Sequence, residues 1–546
     1  MASRLTTFIV VFIVTGTVIA GLIVGAQRED FTGPVDLIVT NGRVFTGADR
    51  ELAEAIAIQG NKILHVGSNR EIKRLRSAQT LMLDAHGASI LPGFIDAHVH
   101  LAEAAAARAG VDLSDAGTTE ALALRIRAFA EAHPDAEWIR GRGWSYDLFP
   151  NGLPTRQALD EIVPDRPAYL VAEDGRTAWA NSKALKLAGI TRRTPNPKGG
   201  LIVRDPRTGD ATGALREAAQ ALVADVLPPP TPTEQLEGLE AAIREAHSVG
   251  VTSVHSVGDT IEGLELYDAL RSAGALQLRV YSALAIPAWS ETEAARLDAI
   301  QQRYPDDPLL KTGAVVVGPD AAQPSASAAR RTVRTAADLA ALVTHFDARG
   351  WQTIVEASTR EEIEAALDAF ESAQRANPSP ERRRHRVDYT AGVEEGLTGR
   401  LAAIGVAVGV GPRTESDPAT WRLILDAGGR VAFGSDWPAS LPAPGERLAA
   451  AAQLVDDDDD PATEGKEPRE NRQLALAEAI EASTATPAWA SFDDQRKGRI
   501  ERGMLADLVI LNTDIFRPDA DPSSAVVEAT IFDGKVVYSR TPIGTH

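Results

Sequence analysis

The sequence predicts an α/β protein, either a parallel barrel or an open sheet, with a small all-β region assembled from both ends. Three observations predict it. Short apolar strands alternate with helical stretches through the middle of the chain. Strand–turn–strand patterns occupy both ends. One buried-looking strand finishes in two histidines spaced two apart. At 546 residues, with 44% apolar and 24% charged residues, the chain can bury a large core, and a single barrel with insertions accounts for most of it.

Taken in order, Leu5 to Ala26 is uncharged and rich in Ile, Val and Phe. As a helix it would reach about 33 Å, enough for a bilayer core. Arg4 precedes it and Arg28-Glu29-Asp30 follows, which places the N-terminus in the cytoplasm and the body outside. Val24-Gly25-Ala26 also resembles a cleavage site of small residues. Residues 1–30 are therefore expected to be a signal anchor, or a signal peptide if cleaved after Ala26. The body is expected to be exported: membrane-tethered through this helix, or secreted or periplasmic.

Val35-Asp36-Leu37-Ile38-Val39 and Gly42-Arg43-Val44-Phe45 read as strands of a hairpin about Asn41-Gly42. Ala55–Ile58 and Ile63–Val66 form another across Gly60-Asn61. Ala506–Leu511 and Ala529–Tyr538 repeat the pattern near the other end. Pairing of these ends gives a β-sandwich from 31–90 and 491–546, with 91–490 inserted between them. Thr118–Ala132 and Thr233–Val249 have helical spacing, and a subdomain is expected around 110–235. Val251–Val254, Leu278–Tyr281, Ala314–Val317, Thr353–Val355, Val406–Val410 and Val431–Phe433 are the inner strand candidates. Asp456 to Asp460 reads as a solvated loop.

Leu91-Pro92-Gly93-Phe94-Ile95-Asp96-Ala97-His98-Val99-His100 carries most of the chemistry. Residues i and i+2 of a strand face the same side, so His98 and His100 converge at its carboxyl end. That suits two ligands of one divalent metal; the plainer alternative is a pair of hydrogen-bonded core histidines. The net charge of −20 argues against nucleic acid, and the absence of Cys excludes disulfides, thiolate ligands and a Cys nucleophile.

The Pro92–His100 segment resembles the first metal-binding strand of the amidohydrolase superfamily. Trp138-Ile139-Arg140-Gly141-Arg142-Gly143-Trp144, Pro154-Thr155-Arg156, Asp174-Gly175, Gly434-Ser435-Asp436 and Gly503–Val509 are similar to its family-3 branch, which includes N-substituted formamide deformylase-like enzymes. The resemblance implies a TIM-like (β/α)8 barrel with a composite β-sandwich. It also implies a metal-dependent hydrolase of non-peptide C–N bonds in amides, formamides or cyclic amides, working through a metal-bound hydroxide. His98 and His100 match the family's first ligands. Asp436 matches its last, which also relays the water's proton to the leaving nitrogen. Lys311 falls where the family's bridging lysine stands.

Three family histidines are replaced here. Glu356 stands where one ligand is expected, and as an oxygen donor it completes a set of His98, His100, Glu356 and Asp436 for one zinc, manganese or iron ion. Tyr389 replaces a second histidine and is expected to hydrogen-bond substrate. Asp174-Gly175-Arg176 replaces Asp-Gly-His, bringing a fixed positive charge suited to an anionic small molecule. His255, at a strand end, is a further substrate-side candidate. The alternative is a catalytically impaired relative serving as a membrane-tethered binding protein.

Overall fold

The computed structural model describes residues 34–47, 52–149, 152–286, 290–317, 335–357, 359–378, 384–388, 393, 395–411, 418–438, 441–452 and 476–541. The expected N-terminal helix, the aspartate run and Tyr389 lie outside them. Among the described residues no helix is long and apolar enough to cross a membrane.

Eight parallel strands form the centre: β1 (Phe94–Val99), β2 (Val251–Asp259), β3 (Arg279–Ala285), β4 (Leu310–Val317), β5 (Gln352–Glu356), β6 (Arg386–Asp388), β7 (Ala407–Val410) and β8 (Arg430–Phe433). They pair in chain order, with β1 beside β2. The residues after β8 close the ring. Asp436 N donates to the His98 carbonyl at 2.9 Å, and His100 N donates to that of Trp437 at 2.7 Å. The α/β alternative is thereby decided: the sheet is a nearly closed barrel rather than an open one.

Outward-facing apolar residues of these strands pack under the helices, joining Phe94, Val254, Val280, Val315, Val355, Val387, Val408 and Val431 in one core. A smaller cluster of Val257, Tyr281, Ala283, Ala314, Val316 and Ile354 fills the lumen. Between β1 and β2 come helix α1 (Leu101–Arg108), a six-stranded sheet over residues 111–217 and helix α2 (Pro232–Ser248). Helix α2 starts at a capping box of Thr231 and Glu234, with Pro232 in its first turn.

Strands from both ends of the chain share one sheet. Ser89–Pro92 pairs antiparallel with Leu508–Leu511, and a second sheet over residues 37–84 packs against it. Leu37, Val39, Ile56, Ile90, Leu508, Ile510 and Ile531 meet in the core between the two sheets. The Gly60-Asn61 hairpin forms. The Asn41-Gly42 hairpin does not: Leu37–Thr40 and Arg43–Val44 lie in different sheets. Burying both Val39 and Val44 between the layers takes the chain across, not back. Gly42 permits the crossing, since a Cβ there would sit 2.3 Å from Ile90 Cδ1.

Candidate metal centre

The carboxyl end of the barrel gathers three of the expected residues. One ligand atom each from His98, His100 and Asp436 lies within 4.8 Å of the others. Strand β1 is buried throughout and delivers His98; His100 follows it as the residue preceding helix α1. Asp436 arrives on the turn after β8. Gly434 makes the approach feasible, because a Cβ there would lie 2.4 Å from that of His98.

Both imidazoles are oriented by their neighbours. His98 Nδ1 donates to Asp388 Oδ2 at 2.7 Å, and His100 Nδ1 donates to the Val257 carbonyl at 2.9 Å. A neutral imidazole protonated at Nδ1 keeps its lone pair on Nε2, the arrangement that suits a metal ligand. His100 Nε2 lies 3.1 Å from Asp436 Oδ1. Burial works against charge on His100. Its hydrogen bond to Asp436, the Glu103 and Asp436 charges and the Val257 carbonyl outweigh that, and push its pKa up to about 9. Asp388 is fully buried, which favours its neutral form, but Arg386 and His98 hold its carboxyl below the ordinary range.

Other expected residues fall elsewhere. Glu356 ends β5 on the same face, level with Asp388, but its carboxylate stands outside the three-residue cluster. Lys311 is corrected outright. It is the second residue of β4, near the amino end, where Asp493 and Asp306 bind its ammonium at 2.9 and 3.0 Å. A cation held by two carboxylates there is a structural group, not a ligand. Asp174 and Arg176 sit exposed on the inserted sheet, Asp174 accepting from Tyr146 and Arg176 facing Glu217 at 3.9 Å. His255 is fully buried in the lumen; its Nδ1 accepts from Arg386 Nη1 at 2.8 Å. Desolvation, with Arg386, Lys497 and Lys311 nearby, keeps it neutral.

Sequence reasoning gave no role to Asp388, Arg386 or Asp96. Asp96 lies inside the motif strand, and its Oδ1 accepts from Ser435 N at 2.8 Å, pinning the turn that carries Asp436. The signal for Asp388 and Arg386 was an apolar residue flanked by two charges in a stretch too short to score as a strand.

A parallel barrel whose first strand ends in paired histidines, met by an aspartate after the last, defines an α/β barrel with a candidate metal site at its carboxyl end. The chain belongs to the Amidohydrolase family, which it matches over residues 82–538. It is 28% identical to the N-substituted formamide deformylase of Arthrobacter pascens, over 93% of this chain and 99% of that one. It is also 28% identical to Protein LONG AFTER FAR-RED 3 of Arabidopsis thaliana, over 92% of this chain and 91% of that one. Its fold is similar to an uncharacterized metal-dependent hydrolase from Pyrococcus furiosus, with a TM-score of 0.59 at 21% identity, covering 88% of this chain and 100% of the other.

Proposed function

We propose that the protein hydrolyses a non-peptide carbon–nitrogen bond in a small amide, formamide or cyclic amide, using one divalent metal ion. The carrying observation is the convergence of His98, His100 and Asp436 within 4.8 Å at the barrel's carboxyl end. Two imidazoles and one carboxylate, leaving further positions to water and substrate, form a donor set that fits zinc, manganese or iron. The chemistry such an ion supplies is Lewis acidity towards a carbonyl and towards water.

The chain's own residues supply the rest. His98 and His100 hold their ring positions through the Asp388 carboxylate and the Val257 carbonyl. Asp436 is partly solvent-exposed, so an Oδ atom can take the attacking water's proton and return it to the leaving nitrogen. The 28% identity to a formamide deformylase over nearly the whole chain supports an N-substituted formamide as the first substrate to try. Export belongs to the same proposal and rests on the uncharged stretch from Leu5 to Ala26.

Metal analysis of the full chain, alongside turnover of a panel of N-substituted formamides, amides and cyclic amides, tests this reading. We expect about one equivalent of metal in the parent. Metal and turnover should both be lost in a His98→Ala/His100→Ala double variant. Trace metal that is unchanged in the double variant would overturn the proposal. Stoichiometric metal without turnover of any panel compound would favour the binding-protein alternative, for which the position of Glu356 outside the cluster speaks.

A further inference from the structure

Beneath the proposed metal site, the lumen holds a buried polar assembly contributed by four strands. Arg386 and Asp388 of β6 are both fully buried. The Arg386 guanidinium grips Asp388 with two donors, Nε to Oδ1 at 3.2 Å and Nη2 to Oδ2 at 2.6 Å. It is itself fixed from two sides. Nη2 also donates to the Ala97 carbonyl of β1 at 2.7 Å, and Nη1 to His255 Nδ1 of β2 at 2.8 Å. Asp388 Oδ2, so held, accepts the Nδ1 proton of His98. The fourth strand contributes space: a Cβ on Gly409 of β7 would lie 2.2 Å from Asp388 Oδ1.

We propose that Arg386 and Asp388 are positioning residues that set the tautomer and ring orientation of His98. In this arrangement Gly409 is the gap that admits the carboxylate, and His255 braces Arg386 instead of meeting substrate. The inference rests on the metal-centre reading for its functional consequence, though not for its geometry.

Two physical points carry it. A carboxylate offers only acceptors, so the ring nitrogen facing it must carry the proton, leaving the other nitrogen as the donor atom a metal requires. The anchoring is also more than an ion pair needs. Arg386 and Asp388 would satisfy each other without His98, yet the guanidinium is tied to the His98 strand through the peptide carbonyl immediately before that histidine. His255 fits the bracing role. With Nδ1 accepting from Arg386, its proton lies on Nε2, which has no hydrogen-bond partner among the described residues. An imidazole that spends its only lone pair on a guanidinium is not a metal ligand.

The test is nitrogen NMR of the histidine-labelled, metal-free full chain, with His98 assigned by comparison with His98→Gln. Cobalt(II) titration of the same samples provides the second readout. We expect His98 in the parent to be protonated at Nδ1. In Asp388→Leu, and in Gly409→Ala, which displaces the carboxylate while keeping its charge, that preference should be lost. Cobalt affinity should fall by about 10–100-fold in both. Gly409→Ala keeps the test usable if Asp388→Leu does not fold. Protonation of parent His98 at Nε2 would overturn the proposal, as would folded variants with unchanged tautomer and unchanged cobalt affinity. A parent that binds no cobalt, yet shows an Nδ1-protonated His98 that both variants lose, supports the clamp while sinking the metal-centre reading.

Discussion

Asp436 adopts φ 58°, a left-handed conformation that aspartate tolerates better than most residues. The surroundings impose it. Asp436 N is held by the His98 carbonyl, and the preceding Ser435 N by Asp96 Oδ1. Asp96 is itself paired with Arg447, whose Nη2 donates to Oδ2 at 2.6 Å, and both residues are inaccessible to solvent. Breaking such a pair from one side strands a buried charge. Arg447→Met is therefore expected to lower unfolding free energy by about 3–5 kcal/mol in denaturant titrations, and an unchanged midpoint would contradict it. Asp436→Asn separates ligation from proton transfer, because the amide oxygen remains a donor while the base is gone. Turnover should drop by about 10²–10⁴-fold with metal still detectable; a loss under tenfold would remove the proton-relay role.

At the level of elements, the helix that follows His100 is fixed by its neighbour. Helices α1 and α2 cross so closely that a Cβ on Gly238 would lie 2.2 Å from the Ala105 carbonyl oxygen. Arg108 at the end of α1 forks onto Glu245 of α2 through both Nε and Nη2. Gly238→Ala must push the helices apart, and we expect a loss of about 1–3 kcal/mol, read as a lowered thermal midpoint. A variant as stable as the parent would show that the crossing is looser than this. Helix α2, the helix over Thr119–Ala132 that Thr118 caps, and most barrel strands were legible because apolar period agrees with the final packing, with Thr231 capping α2 just ahead of the expected start at Thr233. Helix α1, which has no side-chain cap, was not anticipated. Strand β6 was not legible. Two of its three residues are charges that only the lumen satisfies, so no apolar run announces it. Lys311 misled for a related reason: position in the sequence does not say which end of a strand a long side chain serves.

Across the whole molecule, charge pairs tie the layers that apolar patterning alone could not align. Arg279 of β3 binds Asp507 with two donors at 2.6 and 2.9 Å, and reaches Asp533 at 2.8 Å, joining the barrel to the terminal sheet. The pairing of the two chain ends could be anticipated from matching strand patterns; these partners, more than 200 residues apart, could not. At the amino end Asp493 lies between Lys311 and Lys497, and Lys497 donates to Ser253 Oγ of β2 at 2.6 Å. Complete burial disfavours charge on Lys497; Asp493 opposes that shift and Lys311 adds to it, leaving a pKa of about 8 against an ordinary 10.5. Above pH 8 the folded protein gives up this proton, while the unfolded chain keeps it until about 10.5. Between those values the unfolded state binds more protons, so this group makes stability rise with pH, and its contribution is flat on either side. The rise is about 3 kcal/mol. Denaturant unfolding from pH 7 to 10.5 should show the parent gaining on Lys497→Met by that amount, whatever other groups titrate in both. A constant difference between the two proteins across the range would mean that Lys497 keeps its proton in the fold, with Asp493 outweighing its burial.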